Sequence, residues 1–383
     1  MRASQLFWGE QSQWSETDAS FDRAGLVFYF GTRQMLADGK LYAGLRSRFP
    51  DAHLLGCSTG GQLAGLDVSD DTACALALDF GATDLRVARA EIKGSADSRA
   101  TGAAIGAALK GDRLAGVFIL SDGLRVNGSA LVEGVVSEVG RDVPVSGGLA
   151  GDGADFAQTL VGCDSPPAPN TVAAVGFYGD AIRIGHGSAG GWDVFGPMRQ
   201  ITRSDGNVLY EVDGKPALDL YKLYLGPEES QNLPGSALLF PLRIFDPKHP
   251  ERSVVRTILA VDHGSGSMTF AGDIPQGWSA QLMRGSFNRL CAGAAAATQR
   301  AVLNAHPAPD AQSAAIFVSC IGRRLLMGQR IDEEIEAATA ELSESCVPVG
   351  FYSYGEISPH EVSGFCQLHN QTMTVTVLAE QAA

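Results

Sequence analysis

Three times along the chain an apolar run ends in a small-residue turn, a helical stretch follows, and a second short apolar run ends in a glycine-rich turn. The first copy runs from GLVFYFGTR to FPDAHLLGCSTGGQLAG. The second runs from LAGVFILSDGLRVNG to RDVPVSGGLAGDG, and the third from SAAIFVSCIGRRLLMGQ to SCVPVGFYSYGEI. Each reads as a strand–helix–strand unit, since parallel strands need such a crossover and it is almost always right-handed. In open α/β sheets, ligands gather beyond the carboxyl ends of the strands. Here those ends carry Gly31-Thr32-Arg33, Ser121-Asp122-Gly123 and Ser319-Cys320-Ile321-Gly322-Arg323.

Between these units, TACALALDF and DLRVARAEI are separated by Gly81-Ala82-Thr83 and read as a hairpin. ADSRATGAAIGAALKG is helical in pattern, with Gly111 as its cap. TLVGC, TVAAVGFYG and AIRIGHGSAG predict antiparallel strands. A helix is expected over Ala217 to Leu225, closed by Gly226-Pro227, and a long Ala-rich one over Gln281 to Asn304. His263-Gly264-Ser265-Gly266 predicts a second hairpin. The order of elements near residues 72–178 recurs near 253–378. The pattern predicts an α/β protein of two sandwich-like domains with mixed sheets and an internal duplication. A polar lead-in over 1–24 precedes domains at 25–226 and 227–383, with Trp8 and Trp14 pinning the lead-in to the body.

The formal net charge of −14 argues against nucleic acid as a partner, because phosphates want clustered Lys and Arg. No apolar run is long enough to span a membrane, and the N-terminus does not resemble a signal peptide, which points to the cytoplasm. The 7 cysteines form no C-x-x-C pair, so a reduced compartment fits better than a disulfide or zinc framework.

Four blocks carry a specific resemblance: LLGCSTGGQLAG, FGPMRQITRSDGNVLYEVDGKPALDLYKLYLG, VSCIGRRLLMGQRIDEEI, and VPVGFYSYGEISP leading to LHNQTMTV. In this order and spacing the chain resembles the FIST family of sensory modules. The resemblance implies an N-terminal FIST domain followed by a C-terminal one, and a bacterial sensor without catalytic activity. It implies a small ligand, an amino acid or similar metabolite. The signal would pass to a separate histidine kinase, diguanylate cyclase or phosphodiesterase, or chemotaxis partner. Some members resemble a haem-based nitric oxide sensor, so a non-covalent haem b is the alternative. A ligand-free protein-interaction adaptor, using acidic helices such as RIDEEIEAATAELSES, is a further one.

The residues expected at a ligand follow from placement. Cys57 and Cys320 each follow a strand, and Gly322 belongs to a turn whose N–H groups suit an anion. Arg323 offers a two-pronged contact with a carboxylate. Asp122, Asp152 and Glu356, with Tyr352 and Tyr354, would meet an ammonium group. A metal site is not expected. If haem binds, the axial candidates are His186 in IGHGSAGGW, His249 in DPKHPERS and His263 in the hairpin turn.

Overall fold

A computed structural model describes residues 1–9, 13–16, 21–309, 311–360 and 364–381, apart from the Arg252 side chain. The three strand–helix–strand units are present and each strand pair is parallel. Leu26–Gly31 pairs with His53–Ser58, Leu114–Ser121 with Val145–Leu149, and Ser313–Cys320 with Cys346–Ser353. Around each pair the same two antiparallel strands complete a four-stranded module. Cys74–Asp79 and Arg2–Trp8 complete module I, and Thr171–Tyr178 and Asp84–Glu91 complete module II. Met373–Glu380 and Ile182–Ala189 complete module III.

The strands are apolar throughout because both of their faces are covered. Leu26, Phe28 and Phe30 face an interior shared with Phe118, Leu120, Ile316 and Val318. The alternate residues Val27 and Tyr29 face the helices of module I, and Val117, Ile119 and Phe317 face those of modules II and III. Phe28 meets Phe118 edge-on with ring centres 4.9 Å apart, and Phe30 stacks on Phe351 at 4.6 Å.

After its second parallel strand, each module lends its chain to a neighbour. Gln62–Ala64 leaves module I and pairs with Val349–Phe351 of module III. Val161–Cys163 leaves module II for the first sheet, and Gly355–Pro359 leaves module III for the second. The crossings are closed by backbone bonds that run in a ring. Gly60 N–H donates to Tyr352 O (2.8 Å), Gly151 N–H to Ser58 O (2.9 Å) and Tyr354 N–H to Leu149 O (3.2 Å).

Several expectations change. Arg2–Trp8 is a strand of the first sheet, so the start of the chain belongs to the core rather than to a lead-in. Trp14 does pin it: its Nε1 donates to Leu41 O at 3.0 Å and its ring meets Trp8. The segments 74–79 and 84–91 are not a hairpin, because each completes a different sheet. Ser279–Gly285 is a strand, and the long helix begins after it at Phe287. The hairpin at 263–266 forms as expected, and Gly226 breaks the helix Ala217–Ser230 with φ 81°. Residues 192–285 form an antiparallel sheet inserted between the first strand of module III and its helix Phe287–Ala305. The turn His369-Asn370-Gln371-Thr372 anchors this insert. Trp192 Nε1 donates to Gln371 O, and Gln371 Nε2 donates to Leu238 O, each at 2.9 Å.

The helices Ser98–Leu109 and Gly128–Val139 touch backbone to backbone at Gly102, Gly106 and Gly134. A Cβ on Gly102 would run into the Leu131 carbonyl, and one on Gly134 into the Arg99 carbonyl. Gly134→Ala should lower stability by about 2 kcal/mol, because the overlap outweighs the roughly 1 kcal/mol that alanine adds to a helix. Urea unfolding checks this, and a more stable variant would contradict such close contact.

Candidate functional site

The crossing strands bring the turns of all three modules to one place, where a cavity of about 450 Å³ opens. Thr32, Arg33, Thr59 and Gly60 line it from module I, Asp152 and Asp155 from module II, and Ile321 and Arg324 from module III. Thr32 caps the helix Arg33–Ala37 by accepting from Met35 N–H, which leaves Arg33 at the helix start facing the module II turn. Arg33 Nη2 lies 3.0 Å from Asp155 Oδ2, and Nη1 lies 3.9 Å from Asp152 Oδ2. Asp152 is itself held by the Ala157 and Gln158 N–H groups at 2.9 Å each. Arg324 forms a two-pronged pair with Asp70, both contacts at 2.7 Å, and donates to Gly60 O. The cavity thus holds two guanidinium groups and three carboxylates.

Of the nine residues expected at a ligand, Asp152 lines this cavity. Tyr354 stands behind it, its hydroxyl on Asp152 Oδ1 and its ring stacked 5.0 Å from Phe156. Arg323 lies inside the protein, fully buried. Its Nε donates to Glu334 Oε1 (2.6 Å), Nη1 to Gly190 O (3.1 Å) and Nη2 to Leu290 O (2.8 Å). Tyr352 and Ser319 donate to the other oxygen of Glu334. Gly322 packs against Gln371 and Leu238, where a side chain would not fit. Asp122 accepts from Leu124 N–H, Arg125 N–H and the Thr159 hydroxyl, so it shapes a turn.

Cys57 and Cys320 are buried thiols, and burial pushes both well above the ordinary cysteine value, away from the thiolate a nucleophile needs. Glu356 is buried and pushed up to about 8, chiefly by burial, with hydrogen bonds from Ser353 and Thr372 pulling it down. Not among those nine are the cavity residues Thr32, Arg33, Thr59, Gly60, Asp70, Asp155, Ile321 and Arg324, though Thr32, Arg33 and Ile321 stand in the strand-end turns that the sequence singles out. Asp70 carries no sequence signal.

A larger cavity of about 690 Å³ separates the insert from module II, with Glu133, Asp246, His249, Glu251, Asp273 and Trp278 on its walls. His249 lies 3.4 Å from Glu251. His186 lies in the strand Ile182–Ala189, and its ring nitrogens are buried without hydrogen-bond partners; burial lowers it to about 4. His263 is exposed, 2.9 Å from Lys222 Nζ. Among the described residues no group of three or more His, Cys, Asp or Glu is placed to hold a metal ion.

The adjacent arginines should separate in stability. Arg323→Gln leaves Glu334 as an unpaired buried charge and should cost about 3–5 kcal/mol in urea unfolding. Arg324→Gln breaks a half-exposed pair and should cost less than about 1 kcal/mol. Equal losses would contradict the burial difference.

Glu356 also sets a pH dependence. Its folded value lies above that of a free carboxyl, so the folded state holds the extra proton. Stability is therefore fully present below the unfolded value and is lost as pH rises through about 8. His186 and His369, lowered to about 4 and about 3 by burial, act oppositely but only below the ordinary histidine value. Between about pH 6.5 and 8 the Glu356 slope should stand alone, at most about 2 kcal/mol, and Glu356→Gln should flatten it. Urea midpoints at the two pH values test this, and an unchanged slope in the variant contradicts it.

A model of the FIST N domain matches residues 25–215, and one of the FIST C domain matches residues 217–359. Strands from both matched segments share sheets, since Gln62–Ala64 pairs with Val349–Phe351 and Val145–Leu149 with Gly355–Pro359. No curated protein matches the chain. Among the described residues no helix is long and apolar enough to cross a membrane. With the two models together covering nearly its whole length, the chain belongs to the FIST family, whose domains are associated with sensory signal transduction.

Proposed function

We propose that the cavity between the strand ends receives a free amino acid or a similar zwitterionic metabolite, and that the protein reports its presence to a separate signalling partner. The observation that carries this reading is the charge layout of the 450 Å³ cavity. Arg33 and Arg324 offer planar donors to a carboxylate, and Asp152 and Asp155 offer acceptors to an ammonium group. Thr32 and Thr59 add hydroxyls, and Ile321 and Leu325 give the side chain of a ligand an apolar wall. Both arginines already hold carboxylates of the protein, so each is placed to accept a ligand carboxylate in exchange, and the displaced Asp70 is exposed enough to turn to water. A histidine kinase, a cyclic-dinucleotide enzyme or a chemotaxis receptor remains the class of partner proposed from the family.

Haem is the weaker reading. Among its three axial candidates His249 lines a roomy cavity, but the four carboxylates there, Glu133, Asp246, Glu251 and Asp273, oppose the propionates of a haem. His263 sits on an exposed turn, and His186 lines neither cavity.

Titration calorimetry with the twenty amino acids tests the proposal. At least one should bind, and Arg33→Ala should weaken it by about 10- to 100-fold, the worth of a charge-assisted contact. Absence of heat with all twenty, or an undiminished affinity in the variant, overturns the reading.

A further inference from the structure

Arg324 does more than line the cavity. Its Nη1 reaches the Gly60 carbonyl, and its fork holds Asp70. Gly60 and Asp70 bracket the excursion in which Gln62–Ala64 and Asp67–Ser69 form a hairpin on the edge of the third sheet. One guanidinium from module III therefore clasps both ends of the segment that module I lends to it. Gly61, at φ 127°, lets the clasp close, since a Cβ there would run into the guanidinium. The outer half of the hairpin is lightly held elsewhere. The inner strand is bonded to Val349–Phe351, while the outer strand pairs with the inner one alone, and Leu66 at the tip is 56% exposed.

We propose that the Arg324–Asp70 pair is a ligand-controlled latch. A carboxylate entering the cavity takes Arg324 from Asp70 and frees the outer strand Asp67–Ser69 with the loop that follows it. This rests on the reading of the cavity as a carboxylate site. The pair is suited to exchange because it is partly wet: the side chains are 20% and 56% exposed. A pair of that kind is worth about fivefold in an equilibrium, well within what a bound ligand can overcome. The adjoining Arg323–Glu334 pair is fully buried and cannot be exchanged in this way. The freed outer strand borders the acidic helix Ile331–Thr339, so occupancy of the cavity alters the surface that a partner meets.

Hydrogen exchange on the full chain tests the latch with Asp70→Asn, which removes the charge at an exposed position. Without ligand, amides 67–72 should exchange about fivefold faster in the variant than in the parent. An amino acid that binds in calorimetry should accelerate the same amides in the parent, add nothing in the variant, and bind the variant up to about fivefold more tightly. Heat of binding with no change in exchange overturns the latch and leaves the sensor reading standing. Faster exchange in Asp70→Asn with no heat from any amino acid overturns amino-acid control and leaves Arg324 as a static clasp. Unchanged exchange in the ligand-free variant overturns the latch whatever binds.

Discussion

The ring of three backbone hydrogen bonds at the crossing, from Gly60, Gly151 and Tyr354 to the carbonyls of Tyr352, Ser58 and Leu149, is what the rest of the molecule depends on. A polar backbone group buried without a partner costs about as much as a lost hydrogen bond. Three strands ending at one buried point would leave such groups open. Each chain solves this by crossing to the next sheet, so every end is capped by a neighbour. The price is that no module closes alone. Module III lacks an edge without the 62–69 hairpin, and module II lacks one without Gly355–Pro359.

The same crossing decides where a cavity lies. Thr32 and Asp122 each follow the first parallel strand of a module, and Cys320 ends the corresponding strand of the third. The place beside Asp122 is taken up by its own turn and by Thr159. The place beside Cys320 lies under the insert, whose Leu238 carbonyl and the Gln371 side chain crowd Gly322. Beside Thr32 the neighbouring turns carry glycine and short acids instead, and space remains. A near-threefold scaffold thus keeps one of its three junctions open, and there the charges are partly wet.

The parallel units were legible because their runs are apolar on both faces and end at glycine, a pattern set by local burial. The threefold modules were less legible, because their outer strands come from distant parts of the chain. Segments 74–79 and 84–91 are separated by one short turn, and nearness in sequence favours a hairpin. Cys74–Asp79 is instead held between Leu26–Gly31 and Arg2–Trp8. Asp84–Glu91 has a different place, at the edge of the second sheet. No periodicity in either strand records the partner it will meet. The excursions are shorter still: Gln62–Ala64 has three residues, too few for a pattern.

The two consecutive arginines show why the site was harder to read than the fold. A helix turns by about 100° per residue, so adjacent side chains leave it in different directions. Strand Ser313–Cys320 runs straight into the helix Ile321–Met327, and its first turn aims Arg323 inward at Glu334 and Arg324 outward at Gly60 and Asp70. Which of the two is buried depends on a glutamate eleven residues later and an aspartate more than two hundred residues earlier. Burial then separates their chemistry. Arg323 spends its donors on one carboxylate and two backbone carbonyls in a site closed to water, so it can hold a fold together but cannot respond to anything dissolved. Arg324 instead pairs both oxygens of Asp70 at the edge of the solvent, where a dissolved molecule can reach it.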